Sequence, residues 1–146
     1  MQVQYAICGA FDLAYNGQGE PVQVRVISER QGIPMRYLEQ IFARLRRGEL
    51  VKSKRGPGGG YTLARTAASI TLRQIIEAVE GPFADGTGAD PEDGLTGSAF
   101  RPDFVWPLLA ERIGRALDET TLEALCNDAA RAEVPRAEAD PPMYFI

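Results

Sequence analysis

No histidine occurs anywhere in the 146 residues. That absence removes both the commonest general base near neutral pH and the commonest metal ligand. Cysteine is scarce: Cys8 and Cys126 stand far apart, which excludes the disulfide framework of a small secreted domain and makes a reducing cytoplasm the expected setting. No apolar run reaches the ~20 residues of a membrane-spanning helix. The opening MQVQYAICGAFDLAY lacks the basic start of a signal peptide and is patterned as an amphipathic helix. Neither a nucleophile elbow nor a carboxylate cluster on a predicted rigid element is present, so an enzyme is not expected. The length suits one domain with a real core.

Charge is where the sequence becomes specific. The net charge of −4 conceals two opposed regions. Residues 24–65 hold ten Lys/Arg against Glu29, Glu39 and Glu49, whereas residues 66–146 hold six cations against fifteen acids. A basic third beside an acidic half is the footprint of a polyanion-binding face on a differently charged body.

Residues ~2–15 read as a first helix, with Val3, Ile7, Ala10, Phe11 and Ala14 at helical spacing. VRVISERQ reads as a short helix stopped by Gly32. IPMRYLEQIFARLRRGEL then opens with Pro34 in its first turn and closes at Gly48. Leu38, Ile41, Phe42 and Leu45 make one apolar stripe on that helix. Arg36, Gln40, Ala43, Arg44 and Arg47 occupy the opposite face, with Glu39 at its edge. Two helices joined at Gly32-Ile33-Pro34, the second apolar on one side and basic on the other, are the sequence form of a helix-turn-helix. Arg and Gln are the side chains that contact guanine and adenine edges bidentately.

KSKRGPGGGYTLAR, residues 52–65, supplies the next element. Leu50–Ser53 and Tyr61–Arg65 are strand-like, and RGPGGG between them reads as a hairpin tip. A phosphate-binding loop is excluded by context. No Lys-Ser/Thr follows the glycines, Tyr61 stands where a dinucleotide fingerprint needs Gly, and no helix begins there. What remains is a wing, whose bare backbone can lie flat on a sugar–phosphate surface while Lys52, Lys54 and Arg55 supply counter-charge. Arg55, beside the tip, is placed to enter a narrow minor groove.

The run from ISERQGIPMRYLEQIFARLRRGELVKSKRGPGGGYTLAR through ITLRQIIEAVEGP resembles the IscR/NsrR/CymR family of bacterial winged-helix transcription regulators, the Rrf2 family. The resemblance is close over residues ~4–83 and looser over ~104–126. It implies a homodimer binding double-stranded DNA at a near-palindromic operator, most simply as a repressor. Arg36, Glu39 and Gln40 match the family's base-reading positions, and Arg55 its minor-groove arginine. The full set of expected DNA contacts is Arg36, Tyr37, Glu39, Gln40, Arg44 and Arg47 on the helix, with Lys52, Lys54, Arg55, Gly58, Gly59 and Tyr61 on the wing.

Downstream, Thr71 with Gln74 forms a capping box for LRQIIEAVE, which stops at Gly81-Pro82. A longer helix is expected from about Trp106 to Leu117, with Pro107 in its first turn and Leu108, Leu109, Ile113 and Leu117 apolar. The resemblance assigns this helix to the subunit interface, through Trp106, Leu109, Ile113 and Leu117. Isologous pairing there would set two reading heads one DNA turn, ~34 Å, apart. Thr120 with Glu123 is expected to cap the final helix, LEALCNDAARAE. The expected fold is therefore mainly α with a small β-hairpin. It comprises a winged helix-turn-helix domain (1–81), an acidic Gly-rich loop (82–103), dimerisation helices (104–134) and a loose tail (135–146).

The chain departs from the family in that loop. Relatives that bind an iron–sulfur cluster carry three closely spaced cysteines there; FADGTGADPEDGLTGSAFRP has none. No cofactor or metal is expected, because cluster iron requires thiolates. Gln4 and Cys8 match first-helix positions from which a partner subunit completes the site in some relatives. The alternatives are thus a cluster with unorthodox ligands including Cys8, or a Cys8 redox sensor in a protein-interaction module. An inert, core-facing thiol is the plainer reading of Cys8 and of Cys126. A protein or small-molecule effector would complete the regulator.

Overall fold

Burial wraps around the first helix rather than marking one side of it. The structure, a computed structural model, describes residues 2–82 and 100–137. Most of the acidic loop and of the tail, residues 83–99 and 138–146, lie outside the described residues. Helix α1 (Gln2–Asn16) packs against α2 (Val24–Gln31), α3 (Met35–Arg47), α4 (Leu72–Glu80) and α6 (Leu122–Arg131). Its buried residues are Ala6, Gly9, Ala10, Asp12, Leu13 and Tyr15, not the expected stripe, of which only Ala10 is fully buried. The single-face pattern belongs to helices with one neighbour; α1 has several. At Gly9 an added Cβ would meet the Phe42 ring at 3.1 Å.

The helix-turn-helix forms as expected. Gly32 ends α2 in the left-handed conformation, φ 65, its N–H donating to the Ser28 carbonyl. The Ser28 hydroxyl donates to the Ile33 carbonyl at 2.6 Å, tying the turn from inside. Pro34 stands one position earlier than expected, as the residue preceding α3, with extended backbone; its missing N–H is harmless there too. Leu38, Ile41, Phe42 and Leu45 are all buried, joined in one core by Leu13, Ile27, Ile33, Ile75 and Leu122. Burying each such side chain contributes about 2–3 kcal/mol.

One buried residue is charged. Asp12 has no exposure to solvent. Its carboxylate accepts from Arg30 Nε at 3.1 Å and from Arg30 Nη2, from Gln31 Nε2 at 2.9 Å and from Asn16 Nδ2 at 3.3 Å. The bracket fastens the last turn of α2 to α1. Among the described residues no buried side-chain polar atom is left without a partner.

Strands β1 (Val51–Lys54) and β2 (Gly60–Leu63) pair antiparallel, Val51 opposite Leu63 and Lys54 opposite Gly60. An isolated hairpin is marginal in water, and this one is anchored. Val22 and Tyr61 exchange backbone hydrogen bonds of 2.9 and 2.8 Å, and the Tyr61 ring lies 4.9 Å from that of Phe42.

Helix α4 starts with the expected Thr71–Gln74 capping box. Helix α5 spans Val105–Glu119, slightly more than expected, with Pro107 in its first turn. The cap of α6 is Thr121, not Thr120: its hydroxyl accepts from the Ala124 N–H at 3.0 Å, while Thr120 donates to the Ala116 carbonyl and closes α5. The shift follows from a short bridge between Thr71 and Thr121, which keeps residue 120 extended and delays the helix. Helix α6 ends at Arg131, before the expected Glu133, which takes left-handed backbone at φ 58.

Asp12→Ala would leave Arg30 without its partner inside the bracket. It should lower unfolding free energy by about 2–3 kcal/mol, less than a wholly buried pair because Arg30 retains some access to water. Urea denaturation followed by circular dichroism checks this.

Candidate nucleic-acid interface

Because the apolar stripe of α3 points inward, its other side is delivered to solvent. Arg36, Tyr37, Glu39 and Gln40 are exposed on its first two turns. The Arg36 guanidinium sits 4.7 Å over the Tyr37 ring and donates to its hydroxyl at 3.0 Å. Tyr37 in turn lies 6.0 Å from Tyr5 of α1. This support limits the rotamers Arg36 must surrender on contact. Farther along, Arg46 and Arg47 are exposed.

Arg44 is placed differently. It is half-buried, and its Nη1 donates to Gln2 Oε1 at 2.9 Å and to the Val79 carbonyl at 2.8 Å. That carbonyl belongs to the last turn of α4, where a cation is favoured by the helix dipole. Arg44 therefore clamps α3 to α1 and α4.

On the wing, Lys52, Lys54, Arg55 and Gly58 are exposed. Gly59 and Tyr61 turn inward instead. A Cβ at Gly59 would lie 2.3 Å from the Lys54 carbonyl oxygen, and one at Gly60, φ 148, would lie 2.4 Å from that of Val22. These glycines let the tip fold tightly and let β2 approach the segment before α2. Arg46, Lys52, Ser53 and Arg65 border an open cleft at the base of the wing. Arg46 and Arg65 were missed by a face-by-face reading of the helix and hairpin. Both were counted in the charge excess, which was the signal that could have found them.

Helix α5 carries the candidate pairing surface. Gly114 is its single fully buried residue, seated under the Arg73 guanidinium, which joins α4 to α5 through Asp118 at 2.9 Å and binds Glu77 at 3.1 Å. Trp106, Leu108, Leu109 and Ile113 are 38–47% exposed, and Leu117 is half-buried. Among the described residues no helix is long and apolar enough to cross a membrane.

Residues 1–128 match the Rrf2 family, described as iron-dependent transcriptional regulator. The chain is 41% identical to the HTH-type transcriptional regulator IscR of Yersinia pseudotuberculosis over 132 residues, which are 90% of this chain and 80% of that protein. With the IscR of Klebsiella pneumoniae it shares 41% identity over 126 residues, 86% of this chain and 77% of the relative. Among solved structures, T. potens IscR superposes with a TM-score of 0.74 at 36% identity, covering 94% of this chain and 91% of the other. CymR, the global cysteine regulator of B. subtilis, gives 0.71 at 31% identity, covering 88% and 95%.

The donors available here do not fit an iron–sulfur cluster. Such clusters are held by thiolates, usually four, and this chain has two cysteines and no histidine. Among the described residues no three His, Cys, Asp or Glu side chains are grouped to hold a metal. Cys8 is half-buried on α1, and burial raises its pKa above the ordinary thiol value. Burial raises that of Cys126 as well, against the opposing pull of Arg136. A raised thiol pKa means protonated, unreactive sulfur at neutral pH, with thiolate appearing only as pH climbs past the usual range. Iodoacetamide should therefore label Cys8 more slowly at about pH 7 in the folded protein than after denaturation. Mass spectrometry across a pH series reads the rate; faster labelling in the folded state would contradict the shift.

Proposed function

The chain belongs to the Rrf2 family of transcriptional regulators, and we propose that it acts as a homodimeric repressor covering a near-palindromic DNA site with two winged helix-turn-helix heads. The observation that carries this reading is an exposed polar face of α3 together with an exposed cationic wing packed on the same helix. Arg36, Tyr37, Glu39 and Gln40 of α3 are exposed, as are Lys52, Lys54 and Arg55 on a glycine-tipped hairpin bolted to α3 through Tyr61 and Phe42, in an otherwise acidic protein.

In this reading Arg36 and Gln40 contact purine edges in the major groove, and Glu39 selects for cytosine amino groups. Arg55 enters the minor groove beside the tip. Lys52, Lys54, Arg46, Arg47 and Arg65 neutralise phosphates, which set affinity more than sequence choice. Arg44 contributes by holding α3 in place. The exposed Trp106, Leu109 and Ile113 of α5 pair with the same face of a second copy, with Leu117 at its margin. That placement relieves an apolar surface that a lone protomer would leave in water. A bacterial regulator of this kind works in the cytoplasm, on double-stranded DNA, and answers to a protein or small-molecule effector.

The signal is read without the family's iron–sulfur cluster. Protein purified in the absence of oxygen should be colourless and free of iron and acid-labile sulfide. Visible absorption bands that vanish in Cys8→Ala would overturn this point and restore the unorthodox-ligand alternative.

DNA binding itself is tested with a duplex selected by the protein from a random-sequence pool. Affinity should fall about a hundred-thousandfold between about 50 and 200 mM salt, as for some ten neutralised phosphates, about five on each head. Arg55→Ala should lower affinity about tenfold on sites with A·T-rich flanks and less on G·C-rich ones. Salt-independent binding would count against the proposal.

A further inference from the structure

Residues 134–137 do not trail away from α6. After Glu133 reverses the chain, the Val134 N–H donates to the Ala129 carbonyl at 2.9 Å, and the segment crosses to the far end of α1. There the Val134 carbonyl accepts from the Tyr15 hydroxyl at 2.8 Å. The Arg136 guanidinium lies 4.2 Å over the Tyr15 ring, and its Nη1 donates to the Tyr15 carbonyl at 3.0 Å. The Ala137 N–H donates to Asn16 Oδ1 at 2.8 Å. Tyr15 is 3% exposed. The strap thus satisfies groups at the C-terminal turn of α1 with a cation and a backbone donor, the partners that such a terminus attracts.

Asn16 leads further. Its Nδ2 donates to Asp12, the buried carboxylate that also holds Arg30 and Gln31. Those are the last two residues of α2, directly before the Gly32 turn into α3. An unbroken run of hydrogen bonds therefore joins residue 137 to residue 31 through two intervening side chains, Asn16 and Asp12. A tail that needed only to be tidied onto the surface has no use for a partner that shares the carboxylate holding the helix-turn-helix.

We propose that the strap Val134–Ala137 positions the DNA-reading head: Arg136 and Ala137 fix the last turn of α1, and through Asn16 and Asp12 they fix the end of α2 and the presentation of α3. The inference rests on the DNA-binding reading above and extends it to residues outside the contact face. Arg136 and Asn16 lie outside the proposed contact face; Asn16 acts through Asp12, and Arg136 acts by holding Tyr15 and so the turn that carries Asn16.

The full-length protein and its Arg136→Ala, Arg136→Lys and Asn16→Ala variants provide the test, at a temperature where thermal melts show all four folded. The first readout needs no DNA. Amide hydrogen exchange at Gly32 and Ile33 should quicken about tenfold in Arg136→Ala and Asn16→Ala, with amides of α4 unchanged. The second readout compares the pool-selected duplex with a scrambled duplex of equal length. Affinity for the selected duplex should fall about five- to tenfold, with affinity for the scrambled one unchanged, and Arg136→Lys should recover most of the loss. Unchanged exchange at the turn overturns the proposal. So does equal weakening on both duplexes with faster exchange throughout, the mark of a general prop. If the unaltered protein selects no duplex, the DNA-binding reading fails, and the exchange data alone still decide whether the strap governs the turn.

Discussion

A carboxylate shut away from water must be answered by donors, and the donors that answer Asp12 decide where the helix-turn-helix sits. Transferring an ionised group to the interior without partners is prohibitive. Any arrangement of α1 and α2 that separated Asp12 from Arg30 and Gln31 would therefore be heavily penalised. Hydrophobic burial alone is less discriminating, since Leu13, Ile27 and Leu38 would accept several helix packings of similar area. The bracket selects one of them. It does so at the residues that immediately precede the turn, so the constraint acts on the orientation of α3 with little slack.

A second constraint ties the wing to the same body. Phe42, the centre of the α3 stripe, has no solvent exposure and faces both Gly9 of α1 and Tyr61 of β2. The residue that seats α3 is therefore also the floor on which the hairpin rests. The backbone exchange between Val22 and Tyr61 joins the hairpin to the segment leading into α2. Helix and hairpin keep a fixed relation because both are registered on one ring and one short bridge.

Much of this was legible in the residues. The stop at Gly32, the stripe of α3, the Thr71–Gln74 box and the hairpin each depend on neighbours within a few positions, and local rules find such features. What escaped depends on contacts remote in the chain. The first helix was read as having one apolar side because its enclosure by four other helices has no local signature. Asp12 carries no local mark of its burial, since its partners on α2 stand 18 and 19 residues away. Arg44 shares its face of α3 with Arg47, yet a carbonyl of α4 claims it. Tyr61 sits in a basic, glycine-rich stretch that suggested exposure, and strand alternation alone could not say which way its ring turned. The cap of α6 slipped by one residue because two adjacent threonines qualified and a distant bridge chose between them.

The packing of the wing tip bears on how regulators of this design can change their targets over generations. Side chains are shut out of positions 59 and 60 by backbone oxygens closer than any Cβ tolerates, and Gly58 holds a left-handed backbone at φ 70 that few residues accept. Mutation therefore has little to work with at the hairpin's end beyond residues 55 and 57. The outward side of α3 has no such barrier, because its exposed positions carry side chains free of backbone crowding. Substitutions should accumulate on the outward side of α3 while the hairpin's tip persists almost unaltered.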